Sequence, residues 1–269
     1  MSKMNGKTYA SIEIIEDVEE IETDTHAQME TDTVSSISPK NKKCREKKPQ
    51  HVLDKFYTDA ENMFEIGADE AGRGPLFGRV YSGAVILPKD DSFDHSKMKD
   101  SKKFHSKTKI VETAEYIKQH ALAWGIGYES EEVIDNINIL QATQQSMHKA
   151  ISNAIAQFNS KHESLTVANI QLLIDGNYFK PFVLNNQKCK FVTVEGGDNT
   201  YSSIAAASIL AKVARDEYID ELCKKHPFLS ENYGIDSNKG YGAKRHIDGI
   251  KEHGITQWHR KSFGICKKY

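Results

Sequence analysis

The sequence predicts an α/β domain whose mixed sheet is flanked by helices, with a helical C-terminal segment. Three observations predict it. Two strand-like runs, 64–70 (FEIGADE) and 79–87 (RVYSGAVIL), come first, and helical and strand patterns then alternate. The run 170–175 (IQLLID) is continuously apolar and ends in an acid, as a strand buried on both faces does. Helical periodicity recurs in four separate places, and no internal repeat is visible.

Taken in order, residues 1–48 read as a disordered arm. Glu13, Glu16, Asp17, Glu19, Glu20, Glu22 and Asp24 form an acidic stretch, and a Thr/Ser-rich linker leads to the basic run Lys40, Lys42, Lys43, Arg45, Lys47 and Lys48. Such a segment cannot bury enough apolar surface to offset the entropy of ordering it. The ordered domain is expected over 49–269. After the first two strands, 107–119 reads as a helix and 121–128 (ALAWGIGY) as a strand. Residues 131–158 read as one long helix, with Met147, Ile151, Ile155 and Phe158 at helical spacing. Residues 189–195 (CKFVTVE) alternate like an edge or half-buried strand. Residues 201–225 form a third helix, with Ile204, Ala207, Ala211, Ala214 and Tyr218 along one side, and 243–253 a fourth.

The 269 residues, 38% hydrophobic and 28% charged, suit a soluble globular protein with a sizeable core. No apolar run approaches the ~18 residues of a membrane span, and there is no secretory h-region, so an intracellular and most simply cytoplasmic protein is expected. Cys44, Cys189, Cys223 and Cys266 are far apart, which argues against a zinc site or a disulfide framework. A net charge of −2 speaks weakly against nucleic-acid binding, but residues 221–269 carry ten Lys/Arg against five Asp/Glu. Phosphate contact needs only such a local positive field, although a solvated charged tail has the same composition.

Four acids fall where strands end or helices begin: Asp69 and Glu70 at the end of the first strand, Asp175 closing LLID, and Asp198 just before the helix near Tyr201. Chain ends at the edge of a sheet are where α/β sites are built. Convergent carboxylates are hard oxygen ligands for Mg²⁺, and phosphodiester hydrolysis by two such ions ~4 Å apart requires them. Singly, each acid has an ordinary reading, Asp198 as a helix cap and Asp175 as a turn residue. Neighbours on a regular strand face opposite sides, so Asp69 and Glu70 share a site only if the strand distorts, for which Gly72, Gly74 and Pro75 offer the means.

Set together, these residues resemble a known family. Gly67-Ala68-Asp69-Glu70-Ala71-Gly72-Arg73-Gly74-Pro75-Leu76 resembles the opening motif of ribonuclease HII, and Asp100-Ser101-Lys102-Lys103 its second. Asn138 to Thr143, Leu173 to Asn177, Gly197-Asp198 with Ser203 to Val213, Lys239-Gly240-Tyr241-Gly242 and His259 to Phe263 resemble the remaining motifs, in the family's order over roughly 60–265. The resemblance implies an RNase H-like fold. It implies an endoribonuclease that hydrolyses the RNA strand of RNA–DNA hybrids and cuts 5′ of single ribonucleotides embedded in DNA, leaving 3′-hydroxyl and 5′-phosphate ends. It makes Asp69, Glu70, Asp175 and Asp198 the ligands of two Mg²⁺ or Mn²⁺ ions. It makes Gly72-Arg73-Gly74 the loop that reads the RNA–DNA junction and Tyr241 the ring that stacks on the adjacent sugar, with Lys102 and Lys103 as phosphate contacts. Ribonuclease HIII and resolvase-type cores are the alternatives: the first commonly adds an N-terminal substrate-binding domain and a Glu as fourth acid, and the second need not carry the GRG or Tyr241 loops. A monomer is expected.

Residues 50–57 resemble a second, unrelated motif, the peptide by which replication and repair proteins bind a PCNA-type sliding clamp. One tight helical turn would place Leu53, Phe56 and Tyr57 on one side as an apolar plug, with Gln50 reaching a polar pocket. The alternative is that Leu53, Phe56 and Tyr57 pack on the domain as its first ordered segment.

Overall fold

The computed structural model describes residues 52–60 and 62–269. The expected arm at 1–48, and Gln50, lie outside the described residues. The elements in chain order are β1 (Phe64–Ala71), β2 (Val80–Ile86), α1 (Lys107–His120), β3 (Ala123–Glu129), α2 (Glu131–Ile137), α3 (Ile139–Asn159), β4 (Ile170–Asp175), β5 (Val183–Leu184), β6 (Gln187–Lys188), β7 (Lys190–Val194), α4 (Ser202–Lys225), α5 (Phe228–Tyr233), α6 (Ile235–Asn238) and α7 (Lys244–His253). Five strands form one sheet in the order β3-β2-β1-β4-β7, and β5 and β6 form a separate two-stranded ribbon. β1, β2 and β3 are antiparallel neighbours, whereas β1–β4 and β4–β7 are parallel, so the sheet is mixed as expected.

The sheet divides two apolar layers. On one face α3 packs through Met147, Ile151, Ile155 and Phe158 against Ile66, Ile86, Leu172 and Ile174. On the other, α4 lies close against β1 and β2. A Cβ on Gly67 would fall 2.2 Å from the Ser203 carbonyl carbon, and one on Gly83 2.3 Å from the Ala207 oxygen, so glycines on the strands and small residues on the helix set that separation. α5, α6, α7 and the end of α4 form a smaller body around Phe77, Ile219, Leu229, Tyr233, Ile235, Ile250 and Cys266. The basic segment 221–269 is therefore ordered helix and turn, not a solvated tail.

β3 is an edge strand whose outer polar groups are occupied from α3. Gln157 accepts from Trp124 N–H at 2.7 Å, Asn153 donates to the Ile126 carbonyl at 2.9 Å, and Lys149 reaches the Tyr128 carbonyl at 3.4 Å. A blocked edge resists pairing with another chain.

Two expectations need correction. The helix over 131–158 is two helices, because Asn138 sits at φ +66° and starts α3 anew by accepting from Gln141 N–H at 3.1 Å. Residues 52–58 do not form a helical turn. Asp54 makes a single β-bridge to Tyr201, its N–H donating to the Thr200 carbonyl and its carbonyl accepting from Ser202 N–H. The buried Glu65 carboxylate accepts from the N–H groups of Tyr57 and Thr58. Leu53 enters the core beside Leu210, Phe56 meets His95 edge-on, and Tyr57 meets Tyr201. Once those backbone groups bond to the domain they cannot close a local turn. Among the described residues, no helix is long and apolar enough to cross a membrane.

Candidate active site

β1 and β4 run parallel only as far as the pair Ala68–Ile174, after which β4 ends on Asp175. Beyond that point the sheet opens into a cleft of about 240 Å³. Asp69, Glu70, Gly72, Arg73, Gly74, Lys102, Asp175 and Tyr241 line it, with Ser208, Lys212 and Arg215 from α4. β1 stays paired with β2 in register through Ala71, so the expected distortion at Asp69-Glu70 does not occur. Both carboxylates line the cleft because it lies at the strand's open end, past the last pair with β4, where that edge of β1 is free.

The acids carry the electrostatic mark of crowding. Burial, and then the charges of Glu70 and Asp175, hold the Asp69 carboxyl well above the usual carboxylate range. Burial also raises Glu70, opposed by the Arg73 guanidinium at 3.2 Å. Asp198 is raised by burial, then by Asp100 and Asp175. Burial works against the Lys102 ammonium, but the charges of Asp198, Asp100, Asp69 and Asp175 overcome it and lift its pKa. Lys102 Nζ is 3.9 Å from Asp198 Oδ2. One cation thus feels acids from β1, β4 and the turn before α4.

Asp198 sits in a short 3-10 turn, Gly197–Asn199, and accepts from Asn199 Nδ2 at 3.0 Å. It does not cap α4, whose N-cap is Tyr201. Asp175 Oδ1 accepts from Gly197 N–H at 2.7 Å, which ties the end of β4 to that turn. Lys103 is turned to the side-chain oxygen of Asn199 and does not line the cleft. Asp100, which opens the second motif without being an expected metal ligand, accepts from Lys102 N–H at 2.8 Å and from Asn199 Nδ2 at 3.3 Å.

The Gly72-Arg73-Gly74 loop is held from behind. The guanidinium of Arg260, fully buried, donates to the carbonyls of Gly72 (2.6 Å), Arg73 (2.9 Å), Pro75 (2.9 Å) and Gly78 (2.8 Å). In a trans peptide the N–H points opposite the carbonyl. With the Gly72 and Arg73 carbonyls drawn inward, the N–H groups of Arg73 and Gly74 are directed away from Arg260. Gly72 has φ +91°, and a Cβ there would fall 2.2 Å from Arg215 Nε, so only glycine lets Arg215 pass beneath the loop. Arg215 Nη2 donates to the Lys239 carbonyl at 2.9 Å, and Leu76 N–H to the Gly240 carbonyl at 2.9 Å. The GRG and Tyr241 loops are thereby joined. Tyr241 stands at the cleft with half its surface exposed, 3.7 Å from where a Gly74 Cβ would lie.

Arg215 and Arg260 were missed as site residues. A signal existed for Arg215: it falls at i+8 from Ala207 and i+4 from Ala211 on a buried stripe that continues to Ile219, where a charge is out of place. For Arg260 the sequence gives only a motif, since its four acceptors lie more than 180 residues earlier.

Comparison with known proteins agrees with this geometry. The family description "Ribonuclease HII" matches residues 66–266. A ribonuclease HII from Phocaeicola vulgatus is 43% identical over 205 residues, covering 76% of this chain and 91% of that protein. Among solved structures, a chain of the PCNA:RNase HII complex from Archaeoglobus fulgidus aligns with TM-score 0.54 at 24% identity, over 76% of this chain and 96% of that one. Bst-RNase HIII in complex with Mn²⁺ aligns with TM-score 0.57 at 16% identity, over 78% and 70%. At those identities the structures show the shared RNase H-like fold, and the sequence matches decide between its branches. By fold, ordered motifs and sequence, the chain is a ribonuclease H enzyme and belongs to the ribonuclease HII family.

Proposed function

We propose that the cleft hydrolyses the RNA strand of RNA–DNA hybrids and cuts 5′ of single ribonucleotides embedded in DNA, leaving 3′-hydroxyl and 5′-phosphate ends. The observation that carries this reading is the meeting, in one cleft, of Asp69, Glu70 and Asp175 with the Gly72-Arg73-Gly74 loop and Tyr241. Asp69, Glu70, Asp175 and Asp198 are the residues that would hold two Mg²⁺ or Mn²⁺ ions. Their oxygens suit hard cations, and the raised carboxyls of Asp69, Glu70 and Asp198 are what binding would relieve. As placed, no three such groups among the described residues converge on one ion position, so loading would draw the side chains inward. When bound, such ions supply an activated water and offset charge at the leaving oxygen.

The protein's own groups do the recognising. The outward N–H groups of Arg73 and Gly74 can meet the 2′-hydroxyl, the group that separates RNA from DNA. The exposed Tyr241 ring offers a stacking face, and Lys102 a phosphate contact. A PCNA-type clamp is a second partner through residues 50–57, in line with the archaeal neighbour's complex, but binding it would require Leu53 to leave the core.

The test is cleavage of a duplex carrying one ribonucleotide, against all-DNA and all-hybrid duplexes, in Mg²⁺ and in Mn²⁺. Tyr241→Ala should weaken cleavage at the single ribonucleotide by an amount matching one stacking contact, ~1–3 kcal/mol. An equal loss of binding to all-DNA duplex would count against junction reading.

A further inference from the structure

Behind Tyr241 lies a buried pair of histidines that the cleft does not use. His246, in the first turn of α7, and His259, in the C-terminal segment, are both fully enclosed. Their Nε2 atoms are 3.1 Å apart. His246 Nδ1 is 2.9 Å from the Tyr241 carbonyl, and Thr256 N–H donates to His259 Nδ1 at 2.9 Å.

The two ends of this chain fix every proton in it. A carbonyl only accepts, so His246 Nδ1 carries a proton. A backbone N–H only donates, so His259 Nδ1 carries none. The remaining proton must then sit on His259 Nε2 and point at a bare His246 Nε2. Both rings are neutral, in opposite tautomers, and no other arrangement satisfies all three bonds. A proton added to His246 Nε2 would set two N–H groups against each other.

We propose that His246 and His259 are positioning residues for Tyr241: a buried, directional hydrogen-bond chain running from Thr256 to the Tyr241 carbonyl holds that loop at the cleft mouth. The inference rests on the reading of Tyr241 as a substrate-facing ring. The rest of the loop is consistent with such a device. The Tyr241 carbonyl also accepts from Ala243 N–H at 2.8 Å, and Tyr241 N–H donates to the Asn238 carbonyl at 3.0 Å. The surroundings keep the rings uncharged. Phe77 and Tyr233 meet both edge-on or tilted, and among the described residues no carboxylate faces either ring. The neighbouring Arg260 guanidinium is spent on the 72–78 carbonyls. Burial lowers the pKa of both histidines, in keeping with the neutral pair.

Two measurements on the full chain test this. The first is long-range ¹H–¹⁵N correlation of the histidine rings at pH 7. The expected result is a neutral Nδ1–H form for His246, the minor tautomer of free histidine, and a neutral Nε2–H form for His259. An Nε2–H form at His246, or a protonated ring, overturns the proposal. The second is a substitution cycle on a duplex with one ribonucleotide. His246→Phe removes the bond to Tyr241 and should cost roughly tenfold in kcat/KM, the usual worth of one buried hydrogen bond. His246→Asn places an amide near the Nδ1 position and should recover most of it. In a Tyr241→Ala background, His246→Phe should cost little more. A full, additive loss there would mean that His246 supports the fold and not the tyrosine, against the proposal. If Tyr241→Ala alone costs nothing, the substrate reading of Tyr241 fails. Amide exchange at Tyr241 and Ala243, faster in His246→Phe if the chain holds the loop and unchanged if it does not, then decides the positioning role.

Discussion

Arg260 Nη2 donates to the Gly72 carbonyl at 2.6 Å, so a residue near the C-terminus holds the loop that follows the first strand. The same guanidinium satisfies three further carbonyls, and burial pushes its pKa down to about 9 while it remains charged at neutral pH. Arg260→Ala would leave those carbonyls buried and unpaired. It should cost about 1–3 kcal/mol for each carbonyl that water cannot reach, read by denaturant unfolding. Arg260→Lys keeps the charge but not the fork of donors. It should fold, yet lose discrimination between ribonucleotide-containing and all-DNA duplexes. Unchanged discrimination would show that the loop holds itself.

Asp69 binds its proton more tightly in the folded than in the unfolded chain, so its ionisation opposes folding at neutral pH. Asp69→Asn should therefore raise Tm in EDTA, by about 2–4 °C for each kcal/mol relieved. Mg²⁺ or Mn²⁺ should raise the Tm of the wild type, and Asp69→Asn should lose that gain and abolish cleavage. Asp175→Asn should abolish cleavage likewise. Near-normal single-turnover rates in both metals would remove these residues from the mechanism.

The His259 ring behaves oppositely. Burial, with the neighbouring His246 adding to it, lowers its pKa to about 3, against an ordinary value of 6.5. Between those values the unfolded chain binds the proton and the folded chain does not, so this contribution to stability is complete above pH ~6.5 and is lost as pH falls toward ~3. Each unit of such a shift is worth about 1.4 kcal/mol. The raised Asp69, Glu70 and Asp198 work in the reverse sense, so the quantity to measure is the difference in unfolding free energy between wild type and His259→Gln from pH 4 to 7.5. That difference should shrink on acidification, and a flat difference would contradict a buried neutral ring.

Leu53 separates the two uses of residues 50–57. Its side chain lies in the core with Leu210, so Leu53→Ala should cost about 2 kcal/mol by thermal or chemical unfolding. Titrating the whole enzyme and a 45–60 peptide with a PCNA-type clamp then reads the other use. Micromolar binding lost in Phe56→Ala/Tyr57→Ala would establish the clamp peptide. No binding, together with loss of stability, would leave packing as the segment's role.

The sequence by itself determined the main elements and named four candidate acids, of which the structure brings Asp69, Glu70 and Asp175 to one cleft. All five sheet strands and the main helices lie where periodicity put them, because an amphipathic pattern depends only on neighbours along the chain. Asp69, Glu70, Asp175 and the Tyr241 loop were legible through strand ends, glycines and ordered motifs. Short elements were not: β5, β6, α5 and α6 span two to six residues, too few for a period to show. The break at Asn138 rests on one backbone angle. Only the tertiary structure decided how Asp69 and Glu70 share a cleft without a bulge, since that depends on where the parallel neighbour β4 stops. It alone brought Arg260 beneath Gly72, and His246 and His259 behind Tyr241. Burying a guanidinium or two imidazoles is tolerable only when their partners are already in place. Apart from the bond between the two imidazoles, those partners are mainly backbone groups, whose identity leaves no trace in the sequence.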